Sequence, residues 1–189
     1  QIPVILQALG IAAAIVALAR PATPILLPRQ NRGVEILLGF DVSSSMARDL
    51  AGSRSSRLEA ARTAAAEFIA GRPDDRIGLL SFARYPDLVC PPTRDHAALG
   101  TFLEGLRPRD ADDAEDATGM GVALARALRA FGEAETGEGS RVVILLGDGE
   151  ENVASEQTPE EIAPLHAAQF ARARGVRTHV ISVATGEDP

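Results

Sequence analysis

The sequence predicts an α/β domain built on a doubly wound, mostly parallel sheet with one antiparallel edge strand, preceded by a transmembrane helix. Three observations lead there. Apolar runs at 34–40, 76–82, 141–147 and 178–184 have the length and branched content of buried strands. Segments with helical spacing of apolar residues separate them, which makes the strands pair in parallel. An uncharged stretch from Ile2 to Ala19 stands ahead of the first strand.

Residues 1–20 are expected to be a membrane span, truncated at its start. Eighteen helical residues cover ~27 Å, just short of the ~30 Å hydrocarbon core. Pro3, Gln7 and Gly10 interrupt the apolar pattern. Arg20-Pro21 is no small-residue cleavage site, and no basic segment precedes the run, which argues against a signal peptide. Residues 21–33 are a linker and 34–189 the folded domain. The chain begins at Gln1 and stops at Pro189 just after a strand, so it reads as a fragment.

Within the domain, Ser56 and Glu59 form a capping box. Leu58, Ala61, Ala65, Phe68 and Ile69 mark one face of the helix that follows, closed by Gly71 and Pro73. Residues 76–82 are a strand, and Tyr85 to Cys90 an edge strand ending at Pro91-Pro92. Asp95 opens a helix that buries Leu99, Phe102, Leu103 and Leu106. Met120, Leu124, Ala127, Leu128 and Phe131 define another, stopped by Gly132. Gly137 to Ser140 is a solvated loop. The next helix starts either at Thr158 or, since Pro164 breaks that pattern, at Pro164, and it ends at Gly175.

Composition excludes one broad class. The net charge is −7 and aromatics are 4%, whereas nucleic-acid binding needs a basic face. The lone Cys90 cannot form an internal disulfide and reads as a small core residue. His96, His166 and His179 lack metal-ligand spacing. Asp110, Asp112, Asp113, Glu115 and Asp116 read as a solvated acidic loop. The functional alternative for that run is a field that gathers cations and disfavours acidic partners.

The chemistry sits at strand ends. Asp41, Ser43 and Ser45 leave the first strand at alternate positions and bring hard oxygens to one loop, which suits Mg²⁺. A bland reading, in which Asp41 and Ser45 cap the next segment, fits this motif taken alone. Two further pieces argue against it. Thr118 precedes a helical pattern, and Asp148 follows the apolar run ending at Gly147. In that order the three pieces resemble the metal-ion-dependent adhesion site of von Willebrand factor A domains. Residues 56–61, 71–79 and 87–93 narrow the resemblance to membrane-anchored bacterial A domains, the Bat aerotolerance proteins and relatives encoded beside MoxR-type ATPases. The similarity runs from about Leu18 to the end of the chain. Ser44 stands where that family commonly has Gly, and Gly147 where it has Thr. Neither is a family ligand, though Gly147 is expected to loosen the loop carrying Asp148.

The resemblance implies a metal site of Asp41, Ser43, Ser45, Thr118 and Asp148 for Mg²⁺, or Mn²⁺ or Ca²⁺. Ser43 and Ser45 would bind directly, Thr118 directly or through water, and the two carboxylates largely through water. Neutral direct ligands leave an electrophilic position for a Glu or Asp of a partner protein. Family strand order sets the first strand beside the one at 141–147, so that Asp41 and Asp148 meet at the topological switch point. It also places one more strand and one more helix beyond Pro189. Implied partners are sibling A-domain membrane proteins or a MoxR-type ATPase. The implied location is the bacterial inner membrane, with the domain on the periplasmic side. Arg20, Arg29 and Arg32 by themselves argue for the cytoplasmic side, and a direct ATPase contact would need that side too.

An enzyme is the competing class, specifically a metal-dependent phosphohydrolase. The sequence has no Gly-x-Ser-x-Gly elbow, no P-loop and no second Asp two residues after Asp41. No base or nucleophile is assigned, and the expectation is a binding module, not an enzyme.

Overall fold

The computed structural model describes residues 33–50, 54–132, 140–148, 153 and 162–183, together with Pro3, Ile5, Leu6, Leu9 and Gly10. The chain divides into two compact units, Gln1–Asn31 and Arg32–Pro189. In the first, the described residues are helical, and Ile5, Leu6 and Leu9 are exposed. No helix among the described residues is long and apolar enough to cross a membrane. Most of the expected span at 2–19, and nearly all of the linker, lie outside them.

The second unit holds β1 (Glu35–Asp41), α1 (Arg57–Ala70), β2 (Arg76–Phe82), β3 (Pro86–Thr93) and α2 (His96–Gly105). It continues with α3 (Met120–Ala130), β4 (Arg141–Gly147), α4 (Pro164–Ala173) and β5 (Val176–Ser182). The sheet order is β3-β2-β1-β4-β5. β1 pairs in parallel with β2 and β4, β4 pairs in parallel with β5, and β3 runs antiparallel to β2. The chain leaves β1 toward β2 and later returns on its other flank as β4, so the switch point falls between β1 and β4.

Alternation along β1 builds two cores. Ile36, Leu38 and Phe40 point to the face covered by α1 and α2, where Leu58, Ala61, Ile69, Leu99 and Leu103 meet them. Leu37 points to the face covered by α3 and α4, with Leu80, Val143, Leu145, Leu124, Leu128 and Ala171. Burial on both faces explains why these strands read as unbroken apolar runs. Gly121 lets α3 lie close to the start of α4, because a Cβ there would run into the Ile162 carbonyl.

The helix caps form where expected, though of the Ser56–Glu59 capping box the described residues show only the half made by the Ser56 hydroxyl. The Ser56 hydroxyl accepts from Glu59 N–H at 3.2 Å, and the Asp95 carboxylate from Ala98 N–H at 3.0 Å. Pro164 begins α4, and Gly132 and Gly175 follow helix ends with φ of 67° and 68°. The alternative start at Thr158, the loop at 137–139 and Ala184 lie outside the described residues.

Several boundaries differ. β3 runs through Pro91 and Pro92 to Thr93 rather than ending at them. As an edge strand it needs only one row of donors, and register shifts opposite Leu79 absorb the irregularity. Phe102, expected inside, is 46% exposed, whereas Leu99, Leu103 and Leu106 are buried. β5 starts at Val176, two residues before its expected start. Cys90 is buried, as a core residue should be.

Candidate metal centre

Asp41 is the last residue of β1, wholly buried at the C-terminal edge of the sheet. Beyond it, Val42 N–H donates to the Phe82 carbonyl at 2.8 Å, which holds the chain level with the end of β2. A 3-10 turn over Ser44–Ala47 then reverses direction, with Met46 N–H donating to the Ser43 carbonyl at 3.0 Å. The turn brings the Ser43 and Ser45 hydroxyls within 2.9 Å of one another.

Neutral groups surround the Asp41 carboxylate. Ser43 N–H donates to Oδ1 at 2.8 Å, and the Thr118 hydroxyl to Oδ2 at 3.4 Å. Burial pushes the Asp41 carboxyl up to about 6. The Asp148 charge adds to this rise, and the bonds from Ser43 and Thr118 oppose it. Thr118 comes from the loop ahead of α3. That loop is fixed to the end of β2, where Gly119 N–H donates to Ala83 O at 2.9 Å and Arg84 N–H to Glu115 O at 3.2 Å.

Asp148 follows Gly147, the last residue of β4. Register sets Phe40 beside Leu146, so Asp41 lies level with Gly147. A Cβ on Gly147 would come within 3.0 Å of Asp41 Oδ2. Gly147 is also paired with Ser182, and its carbonyl accepts from Val183 N–H at 2.8 Å. The expected loosening is therefore not what this glycine does: it sits in a paired strand and makes room for the Asp41 side chain.

Two residues of this neighbourhood escaped the sequence reading. Arg57 Nη1 lies 3.5 Å from Asp148 Oδ2, with both side chains largely buried. A basic residue in the first turn of a helix opposes the helix dipole, and that misplacement was the available signal. Asp116 accepts from Ser44 N–H at 2.7 Å through Oδ1, and from the Ser44 hydroxyl at 2.5 Å through Oδ2. The solvated-loop reading of the acidic run thus holds only in part. Asp110 and Asp112 are exposed. Arg109 pairs with both Asp113 and Glu115 at 3.0 Å. The Glu115 N–H, then Arg109, hold the Asp113 carboxyl below its usual range.

All five expected residues lie at this edge. Asp41, Ser43, Ser45 and Thr118 are linked by hydrogen bonds, and Asp148 reaches them through its charge. Among the described residues no three His, Cys, Asp or Glu side chains converge as a metal cluster. The donor set is carboxylate and hydroxyl, hard oxygen throughout, around a buried charge that its neutral neighbours do not cancel. That chemistry fits a small divalent cation. His96 Nε2 instead lies 3.1 Å from the Asp75 carbonyl, and His166 and His179 are exposed.

Residues 36–151 match the von Willebrand factor type A domain. The chain is 33% identical to a UPF0353 protein of Mycolicibacterium paratuberculosis, across 98% of this chain and 54% of that protein. It spans about half the length of the curated relatives it matches. Among solved structures it is similar to BatB of Bacteroides thetaiotaomicron, with a TM-score of 0.66 and 27% identity, covering 79% of this chain and 66% of that one. It is also similar to an aerotolerance-related membrane protein of Bacteroides fragilis, with a TM-score of 0.63 and 25% identity, covering 79% and 67%.

Proposed function

This chain belongs to the von Willebrand factor type A domain family, and on that premise we propose that it is a membrane-anchored, metal-dependent docking module rather than an enzyme. Ser43, Ser45 and Thr118, backed by Asp41 and Asp148, hold Mg²⁺, with Mn²⁺ or Ca²⁺ as substitutes. A cation bound there supplies an electrophilic position that takes an anionic oxygen. The partner is a protein that presents a Glu or Asp side chain to it. The observation that carries this reading is the buried Asp41 carboxylate, held among neutral donors at the switch point of the sheet. A cation there would lower the free energy of a charge that burial otherwise makes costly.

The cellular setting rests on similarity to the aerotolerance-related membrane protein and to BatB. It is a Bat-like envelope complex at the bacterial inner membrane, with the domain on the periplasmic side. Sibling A-domain proteins are its partners there, and a MoxR-type ATPase takes part only from the cytoplasmic side. Exposed Ile5, Leu6 and Leu9 support an apolar anchor in residues 1–20. Exposed Val180 and Ile181 on β5 support a further strand and helix beyond residue 189.

The test separates a docking ion from a structural one. Ser43→Ala with Ser45→Ala should leave thermal unfolding within a few degrees, as expected for under ~1 kcal/mol in a domain of this size. The same change should abolish Mg²⁺-dependent capture of the partner, read by crosslinking in membranes and mass spectrometry with and without chelator. A large loss of stability with capture intact would make the ion structural and place the interface elsewhere.

A further inference from the structure

We infer that Asp116 is a positioning residue for the metal centre, acting through Ser44, which lies between the two serines expected to bind the ion. The inference rests on the metal-site reading for its consequence but not for its geometry. Ser43 and Ser45 turn their hydroxyls toward one another at 2.9 Å. Ser44, in the same turn, sends its hydroxyl and its N–H to the two oxygens of Asp116. A carboxylate that receives both groups of one residue fixes that residue's backbone and side chain together. Fixing Ser44 fixes the residues on either side of it. Asp116 also stands two residues before Thr118, so the same clasp ties the serine turn to the loop that carries the third hydroxyl.

The rest of that loop is laced down in a way that makes the clasp stiff. Arg109 N–H donates to the Val42 carbonyl at 2.7 Å, next to Asp41. The Arg109 guanidinium bridges Asp113 and Glu115. Asp116 N–H donates to the Asp113 carbonyl at 2.9 Å. The segment from Arg109 to Gly119 is a strap across the ends of β1 and β2, and Asp116 is where it grips the serine turn. With both oxygens engaged by Ser44, Asp116 supports the ligand turn rather than joining the ligand set. A Gly at position 44 would keep the N–H bond and lose the hydroxyl bond, so this chain's Ser44 strengthens the clasp.

The test uses the full chain, with MgCl₂ and MnCl₂ as probes in calorimetry and amide hydrogen exchange on the metal-free protein. Asp116→Ala should weaken ion binding about 10–100-fold, the range for residues that orient metal ligands. Asp116→Asn, which keeps one acceptor oxygen, should recover part of that loss, and Ser44→Ala should cost less than Asp116→Ala. The pair should be coupled: adding Ser44→Ala to Asp116→Ala should weaken binding less than it does in the wild type. In the metal-free protein, Asp116→Ala should speed exchange of the Ser44 amide while β1 amides keep their protection. Unchanged Ser44 exchange, or additive effects of the two changes, overturns the clasp. A wild type that binds neither ion, with Ser44 exchange still accelerated in Asp116→Ala, overturns the metal reading and leaves the clasp standing.

Discussion

Asp41 and Asp148 leave neighbouring parallel strands one residue out of step, yet they live in opposite surroundings. Asp41 is wholly buried and takes its hydrogen bonds from a backbone N–H and a hydroxyl. Asp148 faces the Arg57 guanidinium at 3.5 Å. One carboxylate already has a cation from the protein, whereas the other, among the described residues, is bonded by neutral donors and feels the Asp148 charge besides. The contrast says where an added ion would matter most. At Asp41 a divalent cation would relieve a desolvated charge, whereas at Asp148 it would share the carboxylate with an arginine.

The largest effect should come from removing each carboxylate in turn. Asp41→Ala is expected to abolish Mg²⁺ and Mn²⁺ binding in calorimetry, while Asp148→Ala weakens it about tenfold. Equal affinity in wild type and Asp41→Ala would end the metal assignment. Equal losses in the two variants would erase the distinction between the sites.

Acidity sharpens the contrast next. The Asp41 carboxyl is raised from 3.8 to about 6, so the folded metal-free protein takes up this proton before the unfolded chain does. This group therefore favours folding below about pH 4, and that contribution is lost as pH rises through 6. The change amounts to roughly 3 kcal/mol. Urea unfolding of wild type against Asp41→Asn, at pH 4.5 and 7.5, should show the gap opening as pH rises. Ion affinity moves the other way and falls about tenfold per pH unit below 6, as a proton competes for the carboxylate. A pH-independent difference between the two proteins would mean that Asp41 is not desolvated as the fold implies.

The smallest effect is expected at the arginine. Arg57→Met leaves Asp148 without its guanidinium and makes the field at Asp41 more negative. Ion affinity should rise a few-fold while stability falls by about 1–3 kcal/mol. A fall in affinity instead would mean that Arg57 holds Asp148 in place for the ion more than it opposes the ion's charge.

Much of this was legible in the chain. β2 occupies the run at 76–82, and the Ser56 and Asp95 caps start their helices where the sequence placed them. Asp41, Ser43, Ser45 and Thr118 are brought together as their order suggested. Less legible was β3, where two prolines argued for a stop, yet an edge position and a shifted register let the strand continue. Phe102 has the spacing of a buried residue, but on α2 it is 46% exposed.

The sequence by itself determined that these strands exist, where the Ser56 and Asp95 caps start their helices, and the donor types at the strand ends, because each follows from short-range periodicity or from one side chain meeting its own backbone. Only the tertiary structure decided which acidic residue grips the serine turn and which arginine answers Asp148. Asp116 and Ser44 are 72 residues apart in sequence, and Arg57 and Asp148 come from a helix start and the end of β4. No local pattern encodes such pairs. They exist because parallel register brings the ends of β1, β2 and β4 to one level, and the loops that leave that level must satisfy their charges on each other.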